Sequence, residues 1–229
     1  MHKIVLAGFV VFMALCVTAA AFAGTTDLIA NGNFSSGLSG WNTNKTFTDA
    51  YVNTDNNELN FGYPNSTGKG NEAGAYQTLN MDVSGYDSLH FKCSVMAMYQ
   101  SLPAPGYCQP GIEYPVQIWL RYTDTSGITR DYRRGFYYSG NGASTLVPGI
   151  KVTQNSWYDF ESGDLFSLTY KPKIIQYAKV FGSGHTYDGK ADDVQLLGER
   201  QDVVPEPATM ALLGLGTLGL GIVRRKRKV

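Results

Sequence analysis

The sequence is poor in histidine, cysteine and helical patterning, and each shortage removes a class of function. Three histidines occur in 229 residues, and His2 stands at the very start. His90 and His185 lie in no metal-ligand pair and no triad-like arrangement. The chain has no Gly-x-Ser-x-Gly elbow, no phosphate-cradling loop and no dinucleotide fingerprint. It has no Glu-x-Asp-x-Glu string to bring two carboxyls together on one strand for retaining glycoside hydrolysis. Glu161 and Asp164, the nearest pair, are three positions apart and fall on opposite faces of a strand. No catalytic residue is therefore assigned. Of three cysteines, Cys16 lies in a leading apolar run, while Cys93 and Cys108 stand 15 positions apart with no CxxC or HxH partner, which excludes a zinc pattern. In an oxidising compartment that pair predicts a disulfide, worth about 3 kcal/mol on the chain-entropy model. The alternative is two free buried thiols. No stretch shows three turns of amphipathic helix, so the body of the chain reads as β.

What is present begins with two ends unlike the middle. Residues 1–23 have the order of a signal peptide. His2 and Lys3 give a basic start, Ile4 to Ala21 is apolar, and Ala21-Phe22-Ala23 offers a small-x-small site with cleavage between Ala23 and Gly24. At the other end, residues 200–229 join a linker to a second apolar segment. Val204-Pro205-Glu206-Pro207 breaks regular structure. Positions 208–223 carry no charge, and Arg224, Arg225, Lys226, Arg227 and Lys228 follow at once. A helix of that length spans roughly 24 Å, slightly short of a bilayer core of roughly 30 Å. The cations hold its far end in the cytoplasm, which makes it a transient membrane anchor.

The formal charge of zero therefore conceals an asymmetry. Lys3 and the five tail cations are six of the 19 basic residues, whereas all 19 acidic residues lie between Asp27 and Glu206. The exported part carries an excess of six negative charges. A nucleic-acid partner is disfavoured on that ground.

Residues 24–199 are the size of one domain, rich in Gly, Asn, Ser, Thr and Tyr. Leu89, Phe91, Cys93, Val95 and Ala97 alternate with Ser88, His90, Lys92, Ser94 and Met96, and Val116, Ile118, Leu120 and Tyr122 alternate with Gln117, Trp119, Arg121 and Thr123. This period of two predicts half-buried strands. Asp124-Thr125-Ser126-Gly127 predicts a turn into a partner strand near 128–138. Further strands are expected near 50–53, 58–61, 74–79, 157–161, 173–181 and 191–197. Many short strands between turns predict an all-β sandwich or barrel.

Two resemblances sharpen this reading. Val204-Pro205-Glu206-Pro207-Ala208-Thr209, the glycine-studded apolar run and the basic end closely resemble the PEP-CTERM sorting signal. The resemblance implies export by the secretion machinery across the inner membrane of a Gram-negative bacterium. It implies cleavage near Pro205, Glu206 and Pro207 by an exosortase-type membrane protease, and release to the cell surface or matrix, a setting linked with exopolysaccharide and biofilm. The domain resembles the galactose-binding-like jelly rolls found among carbohydrate-binding modules. Leu28-Ile29-Ala30-Asn31-Gly32-Asn33-Phe34 with Gly37, Leu38, Gly40 and Trp41 is similar to their opening turn, and 191–198 to their closing strand. Asp82 to Tyr86, before the strand at 88, also fits. Many relatives hold a structural calcium with a Glu after the opening turn, where this chain has Ser35 and Ser36. Asn31 and Asp193 remain as candidate calcium ligands, and no cofactor is otherwise required.

Aromatics make up 13% of the chain, and flat rings suit sugars. If Leu120 and Tyr122 face the core, Trp119 and Arg121 share the opposite face, and in the next strand Arg133 and Tyr137 share one. Trp119, Arg121, Arg133 and Tyr137 are thus the candidate carbohydrate platform, provided that no second layer covers Trp119. The function expected is a non-catalytic surface protein that binds polysaccharide. The rivals are a structural matrix or adhesion component and a glycan-modifying enzyme.

Overall fold

A computed structural model describes residues 23–64, 71–104, 112–142, 144 and 146–201. The signal segment through Phe22, Cys108, and the sorting tail with Pro205, Glu206 and Pro207 lie outside the described residues. Residues 24–200 form one compact unit. Its strands are β1 (Ala23–Asp27), β2 (Asn42–Lys45), β3 (Tyr51–Asp55), β4 (Glu58–Tyr63), β5 (Asn71–Asp82), β6 (Ser88–Gln100), β7 (Tyr114–Asp124), β8 (Thr129–Tyr137), β9 (Gly149–Lys151), β10 (Tyr158–Asp164), β11 (Pro172–Gly184) and β12 (Tyr187–Gln201). One short 3-10 turn, Leu165–Ser167, follows β10.

The strands form two sheets. The first runs β10-β6-β12-β4-β3, with β1 added beside β12, and the second runs β2-β5-β11-β7-β8-β9. In the second sheet β8 and β9 pair in parallel, and the longer pairs are antiparallel. The inward residues of both sheets meet in one core. Leu59, Phe61, Phe91, Val95 and Leu196 come from the first sheet, and Val116, Ile118, Leu120, Phe136 and Val180 from the second. This is the expected β-sandwich, held by burial of two facing apolar surfaces.

Local chemistry places the pieces. In the opening loop Asn31 has φ +51°, and its amide nitrogen donates to Gly37 O and Ser39 O. The Trp41 indole donates to Asn31 O at 3.1 Å, and its ring lies 5.2 Å from the buried Phe34 ring. Val194 N donates to Gly32 O at 3.0 Å, and a Cβ on Gly32 would strike the Val194 carbonyl. The opening turn and the closing strand, which carried the resemblance at sequence level, are therefore in contact. Between β7 and β8, Asp124 Oδ1 accepts from Ser126 N and Ile128 N, and Oδ2 accepts from Arg130 Nε at 3.0 Å. The backbone bond from Ile128, with those from Arg130 and Ser126 and the Arg130 charge, holds the Asp124 carboxyl below the usual carboxylate range. The turn so fixed sets Trp119 opposite Arg133 and Arg121 opposite Asp131.

Cys108, the expected disulfide partner of Cys93, lies outside the described residues. Among the described residues Cys93 is a free cysteine, buried on the core face of β6, and desolvation pushes its pKa up. Period two turns Cys93 inward with Phe91 and Val95, where it packs as a small hydrophobe.

Candidate functional site

The outer face of the second sheet gathers most of the unusual side chains. β7 contributes Gln117, Trp119 and Arg121; β8 contributes Asp131 and Arg133; β11 contributes Tyr177, Lys179 and Phe181; β5 contributes Glu72 and Tyr76. The ladder makes the neighbours: Lys179 pairs with both Trp119 and Tyr76, and Tyr177 with Arg121. These positions alternate with the core residues Ile118, Leu120, Ala178 and Val180, so the register that builds the core also points this set outward.

Trp119 is the centre. It is half-buried, not sealed under a second layer. The Arg133 guanidinium lies 3.5 Å from its ring centroid, Arg121 4.7 Å, and the Lys179 ammonium 5.6 Å. Tyr177 meets it edge-on at 5.3 Å and Phe181 lies at 6.2 Å. Cations are drawn to the negative face of the ring, each contact being worth about 0.5–1 kcal/mol at an exposed site and ~2 when desolvated.

Two carboxylates, Asp131 and Glu72, offset part of this charge. Asp131 Oδ1 accepts from Trp119 Nε1 and from Arg121 Nε, both at 2.8 Å, and Oδ2 accepts from Arg121 Nη2 at 3.2 Å. Burial alone would raise the Asp131 pKa, but the bonds from Arg121 and Trp119 and the charges of Arg121 and Arg133 outweigh it and lower it. Glu72 Oε1 accepts from Lys179 Nζ and from Asn44 Nδ2. Lys179 is only 5% exposed, and its burial lowers its pKa against the opposing pull of Glu72. Burial pushes the neighbouring Tyr177 hydroxyl up to about 12, so the ring stays neutral.

Of the expected platform, Trp119, Arg121 and Arg133 are brought together. Tyr137 is on the same face but is corrected as a contact residue. It is buried with Tyr114, Ala104 and Val147, and the chain at Gly142 and Gly149 packs against its ring. The sequence reading missed Tyr177, Lys179 and Phe181 from β11 and Glu72 from β5, which reach the site through pairing across long stretches of chain.

Of the expected calcium ligands, Asn31 is engaged by its own loop, with Oδ1 accepting from Ser36 N at 3.1 Å, and Asp193 is an exposed positive-φ residue in a bulge of β12. Among the described residues no group of three His, Cys, Asp or Glu side chains is placed to hold a metal. Glu161 and Asp164, expected on opposite faces, are set by a bulge in β10 opposite Lys92 and His90, which share one face of β6. Glu161 faces His90 and Lys92, each at 3.3 Å, and Asp164 Oδ1 caps the 3-10 turn at Phe166 N.

Residues 203–228 match the PEP-CTERM protein-sorting motif, which marks the chain as an exported protein sorted to the cell surface. A comparison with curated proteins found no match. Among solved structures, the chain is similar to a family 11 carbohydrate-binding module from Clostridium thermocellum in complex with a β-1,3-1,4-mixed-linked tetrasaccharide. Identity is 13%, with 76% of this chain and 95% of that one covered and a TM-score of 0.41. It is also similar to a xylan-binding CBM22-1 domain from Paenibacillus barcinonensis, at 11% identity, covering 77% of this chain and 97% of that one, with a TM-score of 0.41.

Proposed function

We propose that the sandwich is a non-catalytic carbohydrate-binding domain that the exported chain displays at the cell surface, with glycan lying along the outer face of the second sheet. The observation that carries this reading is Trp119, half-buried on a sheet face and framed by Arg121, Arg133, Lys179 and Tyr177. Rings offer faces to sugar C–H groups, and guanidinium and amide groups offer hydrogen bonds to hydroxyls. Two of its cations need little further ordering, because Asp131 already holds Arg121 and Glu72 holds Lys179, and preorganisation of that kind favours binding. The test is titration of soluble polysaccharides, neutral and acidic, into the purified protein. Saturable binding to one class is expected. Silence across the whole panel would leave a structural matrix role.

The sorting tail supplies the delivery. In this reading the run 208–223 halts in the membrane with Arg224–Lys228 in the cytoplasm, and an exosortase-type protease cuts near Pro205, Glu206 and Pro207. Replacing those three residues with alanine is expected to leave the tail attached. Intact mass of the surface-extracted chain reads this directly, and a product of normal trimmed mass would contradict the assignment.

A further inference from the structure

The charges around Trp119 do not cancel in pairs. Arg121 occupies both oxygens of Asp131 through Nε and Nη2. Trp119 Nε1 takes a further place on Oδ1. Lys179 is held by Glu72, which Asn44 also engages. Arg133 is the third cation, and among the described residues it shares Asp131 with Arg121 and has no carboxylate of its own. Its Nη2 meets Asp131 Oδ2 as an ion pair at 3.6 Å, beyond hydrogen-bonding distance, and its Nε is buried with no hydrogen-bond partner among the described residues. Its side chain retains 24% exposure.

This arrangement is costly unless something else uses it. Burial weakens the hold on the charge of Arg133, lowering its pKa, although a guanidinium stays protonated at any ordinary pH. The Trp119 ring lies 3.5 Å from the guanidinium carbon but accepts no conventional hydrogen bond. What remains is an oriented fork of N–H donors, with one cation in excess over two carboxylates, at the centre of an aromatic strip. A hydroxyl would use one of these donors. A carboxylate accepts two in parallel and cancels the surplus charge as well.

We propose that the ligand of this face is an acidic glycan, with the carboxylate of a uronic-acid unit paired to Arg133 beside the Trp119 ring. The inference rests on the carbohydrate-binding reading above and specifies its ligand. The excess of six negative charges on the exported part does not oppose it at contact range. At physiological ionic strength, exposed charges more than about 8 Å away are largely screened, whereas Arg133 would act at contact.

The experiment uses the full-length chain and matched polymers: polygalacturonate and alginate, each beside its carboxyl-reduced form, with xylan and a mixed-linkage glucan as neutral polymers. Binding to a polyuronate is expected, falling at least about ten-fold on carboxyl reduction and by a similar factor in Arg133→Gln. Arg133→Lys, which keeps the charge but loses the fork, is expected to fall between. Added salt should weaken polyuronate binding. If Arg133→Gln does not fold, the comparison of each polymer with its reduced form decides the matter on the wild-type chain alone. A neutral polymer bound as tightly as its acidic counterpart, or full affinity in a folded Arg133→Gln, overturns the acidic-ligand inference and leaves carbohydrate binding standing. No binding to any polymer overturns both.

Discussion

Trp119→Ala is expected to lower polysaccharide affinity by about thirty-fold or more, the ~2 kcal/mol or greater loss typical when a central tryptophan is removed from a binding surface. The ring acts in two ways. It presents apolar area at the middle of the strip, and it gives Arg121, Arg133 and Lys179 a common surface on which to rest. Without it, three cations converge with only Asp131 and Glu72 to offset them, and the guanidinium planes lose their orientation. The fold should survive, because Trp119 lies outside the inter-sheet core and is only half-buried. A stability loss of about 1–2 kcal/mol is expected from the vanished cation–ring contacts. Trp119→Phe separates the two roles. It keeps a ring but removes the Nε1–H that donates to Asp131 at 2.8 Å, so affinity should fall between wild type and alanine. Titration calorimetry with a bound polysaccharide, alongside thermal unfolding of each variant, checks both numbers. A folded Trp119→Ala chain with undiminished affinity would remove this face from consideration.

The alternation in β6 and β7 made their two faces legible in the sequence. Phe91, Cys93 and Val95 are buried, as are Ile118, Leu120 and Tyr122, and Trp119 and Arg121 point the other way. The Asp-Thr-Ser-Gly turn was legible for the same kind of reason, since Asp124 and Gly127 carry local turn chemistry. β11 was not readable in this way. Ile175, Tyr177 and Phe181 stand at odd positions and would share one face of a regular strand, but Ile175 is in the core while Tyr177 is on the outer face. The pairing explains the switch. Ile175 aligns with Tyr122 and Tyr177 with Arg121, so Gln176 is an extra residue, a bulge that exchanges the faces. A bulge depends on the partner strand, and that partner is some 50 residues away in the chain. The same limit applies to Tyr137, which shares the face of Arg133 but whose cover comes from Gly142, Val147 and Gly149. β1, β2 and β9, with three to five residues each, are too short to show a period; β2 and β9 form the two edges of the second sheet and β1 pairs with β12. The inward direction of Cys93 follows from the period of β6, not from the compartment and spacing on which the disulfide expectation rests.

Gly135→Ala is expected to destabilise the domain by about 3 kcal/mol, at the upper end of the usual overpacking cost, and so to lower Tm by roughly 6–12 °C for a domain of this size. Taken alone, the substitution should help slightly. Gly135 is not among the positive-φ glycines, and alanine in a compatible strand position reduces the entropy of the unfolded chain by the equivalent of ~0.4–1 kcal/mol. The sign is decided by Tyr114. A bulge in β7 aligns Ser183 with Tyr114 and Phe181 with Gln117, which brings Tyr114 to the outer face, and its ring lies flat over Gly135 where a Cβ would have to be. The ring has little room to yield. Tyr114 is fully buried, its hydroxyl donates to Val147 O at 2.9 Å, and Tyr137 packs 6.1 Å away. A methyl group at 135 therefore displaces the ring, its bonds to Gly142 O and Val147 O, and the cover over Tyr137. A double-mutant cycle isolates this cause. In a Tyr114→Ala background, which is itself destabilised, adding Gly135→Ala should cost nothing or stabilise, giving a coupling of about 3 kcal/mol between the two sites. Denaturant unfolding of the four chains measures it. Additive losses would mean that the glycine is required for some reason other than the ring above it.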